Sequence, residues 1–217
     1  VPSSAPRPAG RAVAPLTGSR PLPSTEGLAP LLERALAARP RVPAGHPGRP
    51  AAVLLPLFDV AGRPHLLLTK RTDSLRNHRG QVSLPGGRRD PEDASLTDTA
   101  LREAEEEVGI PRHAVRVLGA LDDVATHVSD FIVTPVVGVL PARPAVVPNP
   151  GEIARVMEVP VDLVLAVDAR LPPDAGVREL RYPLDGEDVW GATARILRGF
   201  SAVLRSALLA EDGTPPR

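Results

Sequence analysis

The run Arg102-Glu103-Ala104-Glu105-Glu106-Glu107-Val108-Gly109-Ile110 constrains this chain more than any other segment. On an α-helix successive residues advance by about 100°, so Glu103, Glu106 and Glu107 share one arc of about 100°. Leu101, Ala104 and Val108 form a neighbouring stripe that can pack on a core, while Glu105 falls outside the arc and reads as a solvated surface residue. Three carboxylates on one edge repel each other unless a cation sits among them. Oxygen-only ligands of high charge suit a hard divalent ion such as Mg²⁺ or Mn²⁺. The segment therefore predicts a helix with one packed face and one metal-binding edge.

Composition removes several alternatives. The chain has no cysteine, which excludes disulfides, thiol nucleophiles and zinc-thiolate centres. Lys+Arg and Asp+Glu balance at 26 each, so no general affinity for nucleic acid or membranes is expected. Three Phe, one Tyr and one Trp are too few for a stacking platform along single-stranded nucleic acid. No apolar run reaches the roughly 20 residues that span a bilayer, and the Pro-rich start lacks the apolar core of a secretion signal. A cytoplasmic protein is the expectation.

Residues 1–23, rich in Pro, Ala, Ser and Arg without periodicity, read as a disordered tail, and 211–217 as a short C-terminal tail. Residues 24–210 read as one domain. Ser24 or Thr25 can cap a helix carrying Leu28, Leu31, Leu32 and Leu36, followed by a Pro/Gly linker over Arg39–Pro50. Ala51–Phe58 and His65–Lys70 are apolar runs that suggest a hairpin, and Gln81–Leu84 a short strand before the Pro85-Gly86-Gly87 turn. The Glu-bearing helix is predicted from Ser95 to Val108, with Ser95 and Asp98 as a capping box and Gly109 as the stop. Ala114–Leu121, Phe131–Leu140, Ile153–Val159 and Arg178–Tyr182 are further strand candidates, Asp122-Asp123 a strand-end turn, and Pro160–Val167 a short helix. Val189–Leu209 closes the chain as a helix with Trp190 as its packing anchor. Helices at both ends and in the middle of a strand-rich chain predict an α/β fold, an α/β/α sandwich with a mixed sheet.

Two linked motifs carry a resemblance. Gly87, a loop, and then Arg102-Glu103-Ala104-x-Glu106-Glu107-x-Gly109-Ile110 resembles the Nudix box, G-x5-E-x7-R-E-U-x-E-E-x-G-U with U bulky and apolar. Asp93 stands where the first Glu of that pattern falls, and fourteen residues rather than thirteen separate Gly87 from Arg102. Just upstream, Leu67-Leu68-Thr69-Lys70-Arg71-Thr72, then Arg76, Gly80 and Leu84-Pro85-Gly86-Gly87, is similar to the extra signature of coenzyme A pyrophosphatases, L-L-T-x-R-S-x3-R-x3-G-x3-F-P-G-G. Trp190-Gly191-Ala192-Thr193 is similar to a further feature of that subgroup.

The resemblance implies a Nudix-type sandwich that hydrolyses a diphosphate with the help of Mg²⁺ or Mn²⁺. It implies Glu103, Glu106 and Glu107 as metal ligands, with the Gly87 carbonyl as a further one, and Arg102 as the group that holds a carboxylate in position. One of these glutamates, or Glu152 after Asn149-Pro150-Gly151, would take the proton of the attacking water. The substrate implied is coenzyme A or a thioester of it, cleaved to 3′,5′-ADP and (acyl-)4′-phosphopantetheine, with Lys70, Arg71, Arg76, His78 and Arg79 to meet its phosphates. A homodimer is common among similar proteins. The alternatives are a pyrophosphatase for NADH or a nucleotide sugar, and a weakly catalytic domain that senses a nucleotide.

Overall fold

A twelve-residue strand, Arg49–Val60 (β1), organises the molecule by pairing along both edges. The computed structural model describes residues 21–45, 47–72, 80–126 and 130–211. The tail expected over residues 1–20 and the end at 212–217 lie outside the described residues, as do Arg76, His78 and Arg79. The first helix, Thr25–Ala37 (α1), starts where expected, with the Ser24 hydroxyl accepting from the Gly27 amide at 3.4 Å. β1 turns into Arg63–Arg71 (β2) through Ala61-Gly62. Both turn residues have positive φ, 50° and 74°, the twist that lets a two-residue loop join right-twisted strands.

Val82–Ser83 (β3) and Gly86–Arg88 (β4) follow, then the Glu-bearing helix Leu96–Val108 (α2). A single 3-10 turn at Arg112–Ala114 occupies the start of the strand expected from Ala114, so Arg116–Ala120 (β5) begins later. Val124–Ala125 (β6), Phe131–Val139 (β7), Ile153–Pro160 (β8) and the helix Val161–Asp168 (α3) complete the middle of the chain. Arg178 and Glu179 lie in a turn, contrary to the strand expected there. The strand is Tyr182–Leu184 (β9), paired with Glu187–Val189 (β10), and Gly191–Glu211 (α4) ends the described chain.

The main sheet has eight strands, with β3-β2-β1-β7-β5 as its path, β4 beside β1, β6 beside β7 and β8 beside β2. β1 and β7 are parallel and the other pairs antiparallel, so the sheet is mixed. Alternation along β1 sends Leu55 and Leu57 to one face, where Leu28, Leu32, Leu197, Phe200 and Leu204 of α1 and α4 cover them. Ala52 and Leu54 point the other way, under Ala100 and Ala104 of α2. The layers are helix, sheet, helix, as expected. None of the described helices is long and apolar enough to cross a membrane.

One largely buried carboxylate ties α3, β9 and α4 together. Asp168 accepts from the hydroxyl of fully buried Tyr182 and from the guanidinium groups of Arg198 and Arg205. Burial and the facing carboxylate both push the Tyr182 phenol well above its ordinary value, so the hydroxyl stays a donor. Asp168→Ala strands these donors and should lower unfolding free energy by about 2–3 kcal/mol in urea denaturation, since hydrogen bonds to charged groups are worth that order.

Candidate active site

The edge carrying the acidic arc is set by how α2 begins and ends. The Ser95 hydroxyl accepts from the Asp98 amide at 3.2 Å and donates to the Asp98 carboxylate at 2.7 Å. Gly109, at φ 72°, donates to the Glu105 carbonyl at 3.0 Å, the single bond of an αL cap, and Ile110 donates to the Ala104 carbonyl at 3.3 Å, which closes the helix. Ala100 and Ala104 pack on Ala52, small against small, and this close seat turns Glu103, Glu106 and Glu107 toward β4. Glu105 points away to a surface ion pair with Arg112 at 2.8 Å.

Arg102 is held by a fork. Its Nε and Nη2 donate to the two carboxylate oxygens of Asp93, each at 3.0 Å. Nη2 also reaches the Arg88 carbonyl at 3.1 Å. Nη1 then donates to Glu103 at 2.9 Å and to Glu106 at 3.0 Å. Asp93 is 4% exposed and accepts further bonds from the Thr99 hydroxyl at 2.8 Å and the Asp90 amide at 2.9 Å. The Arg102 guanidinium, helped by the Asp90 amide and the Thr99 hydroxyl, holds the Asp93 carboxyl well below the usual carboxylate range against the opposing effect of burial. Asp93 in turn raises Arg102. Asp93 thus anchors the arginine that orders the acidic arc.

Glu107 is 3% exposed and accepts from the Gly86 amide at 3.1 Å. Arg71 lies 3.5 Å from the same carboxylate and 3.8 Å from Glu152. Burial pushes Glu107 up to about 7, with Gly86 and Arg71 opposing and the charges of Glu103 and Glu152 adding. Glu103 is raised too, mainly by burial, against the pull of Arg102. Gly86 and Gly87 leave this room. A Cβ on Gly86 would stand 2.3 Å from the Ala52 carbonyl, and one on Gly87 2.5 Å from the Glu103 carboxyl.

Glu152 arrives from across the fold. The amides of Val147 and Asn149 donate to the carbonyls of Val108 and Glu107 at 3.0 and 2.8 Å, filling acceptors that a helix end leaves open. Asn149 accepts from the Gly151 amide on its side chain at 3.1 Å and from the Glu152 amide on its carbonyl at 3.0 Å, a turn that directs Glu152 at the cluster.

Two expectations require correction. Lys70 alternates with Arg71 on β2 and so points to the opposite face, where its ammonium pairs with Glu187 at 2.8 Å; it does not join the carboxylates. Trp190 is 48% exposed and does not belong to the core, because Val189 takes the inward position of β10. The Asp122-Asp123 turn has a role beyond ending a strand. Both carboxylates grip the linker after α1 through Arg39, Arg41 and the amides of Val42 and Ala44. Thr99 and Asp90 carry no sequence signal for their part in holding Asp93. A cavity of about 920 Å³ between α1 and α4, lined by Leu31, Ala35, Leu121, Ile196 and Val203, faces away from α2 and is remote from this chemistry.

Among the described residues no three acidic or histidine side chains close around a common point. Glu103 and Glu106 turn to Arg102, and Glu107 to the Gly86 amide. The donor chemistry nevertheless fits a hard divalent cation. All the donors are oxygens, two of the carboxyls are held in a poorly solvated site where ionisation costs free energy, and side-chain-free Gly87 lies against Glu103.

Comparison with known proteins agrees with this geometry. The NUDIX domain family model matches residues 48–180. A Pectobacterium atrosepticum protein named uncharacterized Nudix hydrolase NudL is 43% identical over 157 residues, spanning 70% of this chain and 81% of its own. Its namesake in Photorhabdus laumondii is 43% identical over 154 residues, spanning 69% and 81%. The crystal structure of a NUDIX hydrolase from Alicyclobacillus acidocaldarius superposes with a TM-score of 0.52 at 18% identity, over 77% of this chain and 97% of that one. A MutT/nudix family protein from Enterococcus faecalis gives 0.51 at 15% identity, over 88% and 81%; both share the fold. Sheet, capped acidic helix and sequence together define a pyrophosphohydrolase, an enzyme that cleaves diphosphate bonds. The chain belongs to the Nudix hydrolase family, whose members act on nucleoside diphosphate-linked substrates and generally use divalent ions such as Mg²⁺ or Mn²⁺.

Two outcomes follow from this geometry. A carboxyl held below its ordinary value stabilises the folded chain above about pH 4 and ceases to do so as the pH falls further. Asp93→Asn should therefore lower stability in urea by about 2–3 kcal/mol at neutral pH, with the gap from wild type narrowing steadily as the pH falls below about 4. Gly87→Ala meets first the carboxyl end of Glu103, a side chain that can turn aside at the cost of its Arg102 bond, so the melting temperature should fall only slightly. Turnover should fall about 100-fold, the scale expected for a misplaced catalytic group.

Proposed function

We propose that the chain hydrolyses the diphosphate of coenzyme A or its thioesters, releasing 3′,5′-ADP and (acyl-)4′-phosphopantetheine. The observation that carries this reading is the Leu67–Gly87 segment, which resembles the coenzyme A pyrophosphatase signature and whose two ends meet the acidic cluster. Arg71 faces Glu107 and Glu152 at one end, and the Gly86 amide binds Glu107 at the other.

Glu103, Glu106, Glu107 and the Gly87 carbonyl would hold Mg²⁺ or Mn²⁺. When bound, such ions neutralise diphosphate oxygens and make water more acidic. Arg102, tied to Asp93, limits how far Glu103 and Glu106 can swing. Arg71 presents a guanidinium beside the carboxylates, suited to a phosphate oxygen by its fork of donors. Glu152 is half exposed, which leaves it free to accept a proton from a water at the cluster and pass it to solvent. Arg76, His78 and Arg79 keep the phosphate-binding role that the resemblance implies, while Lys70, paired with Glu187 on the other face of β2, could meet only a phosphate that lies away from the carboxylates.

Incubation with Mg²⁺ or Mn²⁺ and a panel of diphosphates, with products identified by mass, tests the substrate. Coenzyme A or an acyl thioester should give 3′,5′-ADP and the matching phosphopantetheine. Cleavage of NADH or a nucleotide sugar alone would defeat the coenzyme reading. Glu106→Gln and Glu107→Gln should each lower kcat by at least about 100-fold with the fold retained by circular dichroism, since metal-held charge contributes several kcal/mol to the barrier. Near-normal rates would remove these residues from the metal site.

A further inference from the structure

Trp190 is the chain's only tryptophan, and it stands half in solvent. Leaving an indole there forgoes the largest burial gain a side chain offers. Its placement is nonetheless rigid. Val189, the residue before it, is fully buried and pairs with Tyr182. Three residues after it, the Thr193 hydroxyl donates to the Val82 carbonyl at 3.1 Å. This bond and the packing of β10 on β3 put Trp190 at the sheet edge that leads directly into Pro85-Gly86-Gly87.

A nucleotide substrate brings a purine whose faces are poorly satisfied in water, and the chain offers few surfaces for it. Phe58, Phe200 and Tyr182 are fully buried. Phe131 is covered by the Arg49 guanidinium, 4.2 Å from its ring centre. Among the Phe, Tyr and Trp rings, Trp190 is the exposed one. We infer that Trp190 is a stacking platform for the purine base of the nucleotide half of the diphosphate substrate. The base would reach it around the β3 edge while the diphosphate lies at the carboxylates on the other face. Stacking on an indole needs no hydrogen-bond match, so Trp190 sets affinity for a purine without taking part in bond cleavage. The inference rests on a nucleotide diphosphate as substrate, not on coenzyme A in particular.

A single tryptophan makes the test direct. Titration of the full chain with 3′,5′-ADP should change Trp190 emission saturably, and 4′-phosphopantetheine, which has no purine, should leave it unchanged. Trp190→Leu should raise KM for coenzyme A about tenfold with kcat within about twofold, the loss expected of one stacked base. Trp190→Phe should recover most of that affinity. Unchanged emission with 3′,5′-ADP, or a KM unaltered in Trp190→Leu, would overturn the stacking role even where coenzyme A is cleaved. An emission change caused equally by phosphopantetheine would also overturn it. If instead another adenine diphosphate is the substrate and its KM rises in Trp190→Leu, the coenzyme reading falls while the platform stands.

Discussion

The bidentate contact between Arg102 and Asp93 is the constraint on which the rest of the site depends. An arginine beside two glutamates would ordinarily sample many rotamers. Here both forks of the guanidinium are occupied, and Asp93 is itself fixed by Thr99 and the Asp90 amide. The approach to α2 is one residue longer than the family pattern, and its acid is one methylene shorter than the usual Glu. These two departures meet at the same fork, so a loop that looks irregular in sequence delivers a carboxylate to the arginine.

The site also holds a deliberate conflict. A glutamate buried like Glu107 is an expensive group to ionise, and two neighbouring acids add to the expense. Gly86 and Arg71 offset only part of it. A neutral residue there would cost the fold less, so keeping the acid is consistent with the metal-holding role proposed for it. The Asp168 network lies away from this conflict, and its charges are matched by arginines and a phenol within the fold.

Much of the architecture was legible because local signals agreed with one another. Ser95, Asp98 and Gly109 mark the ends of α2, the acidic arc follows from helical geometry, and alternating apolar runs place the long strands. That Lys70 faces away from Arg71 and the carboxylates was readable in principle, since neighbours on a strand face opposite ways whatever motif they share. The Trp190 error has a different origin. Its exposure depends on Val189 taking the inward place of a hairpin whose pairing is long-range, and a strand expected at Arg178 obscured that hairpin. The grip of Asp122 and Asp123 on the linker, at separations of about eighty residues, had no local trace at all.

The docking of residues 147–149 on the end of α2 has a consequence for how such a chain can diverge. Both bonds to the helix run from main-chain amides to main-chain carbonyls, so neither depends on which side chain occupies position 147. Drift is therefore free along most of this loop so long as its length and the turn at Asn149 persist. An acid carried on it can be kept in reach of the cluster while the surrounding letters change, which makes Glu152 easier to find in three dimensions than in an alignment.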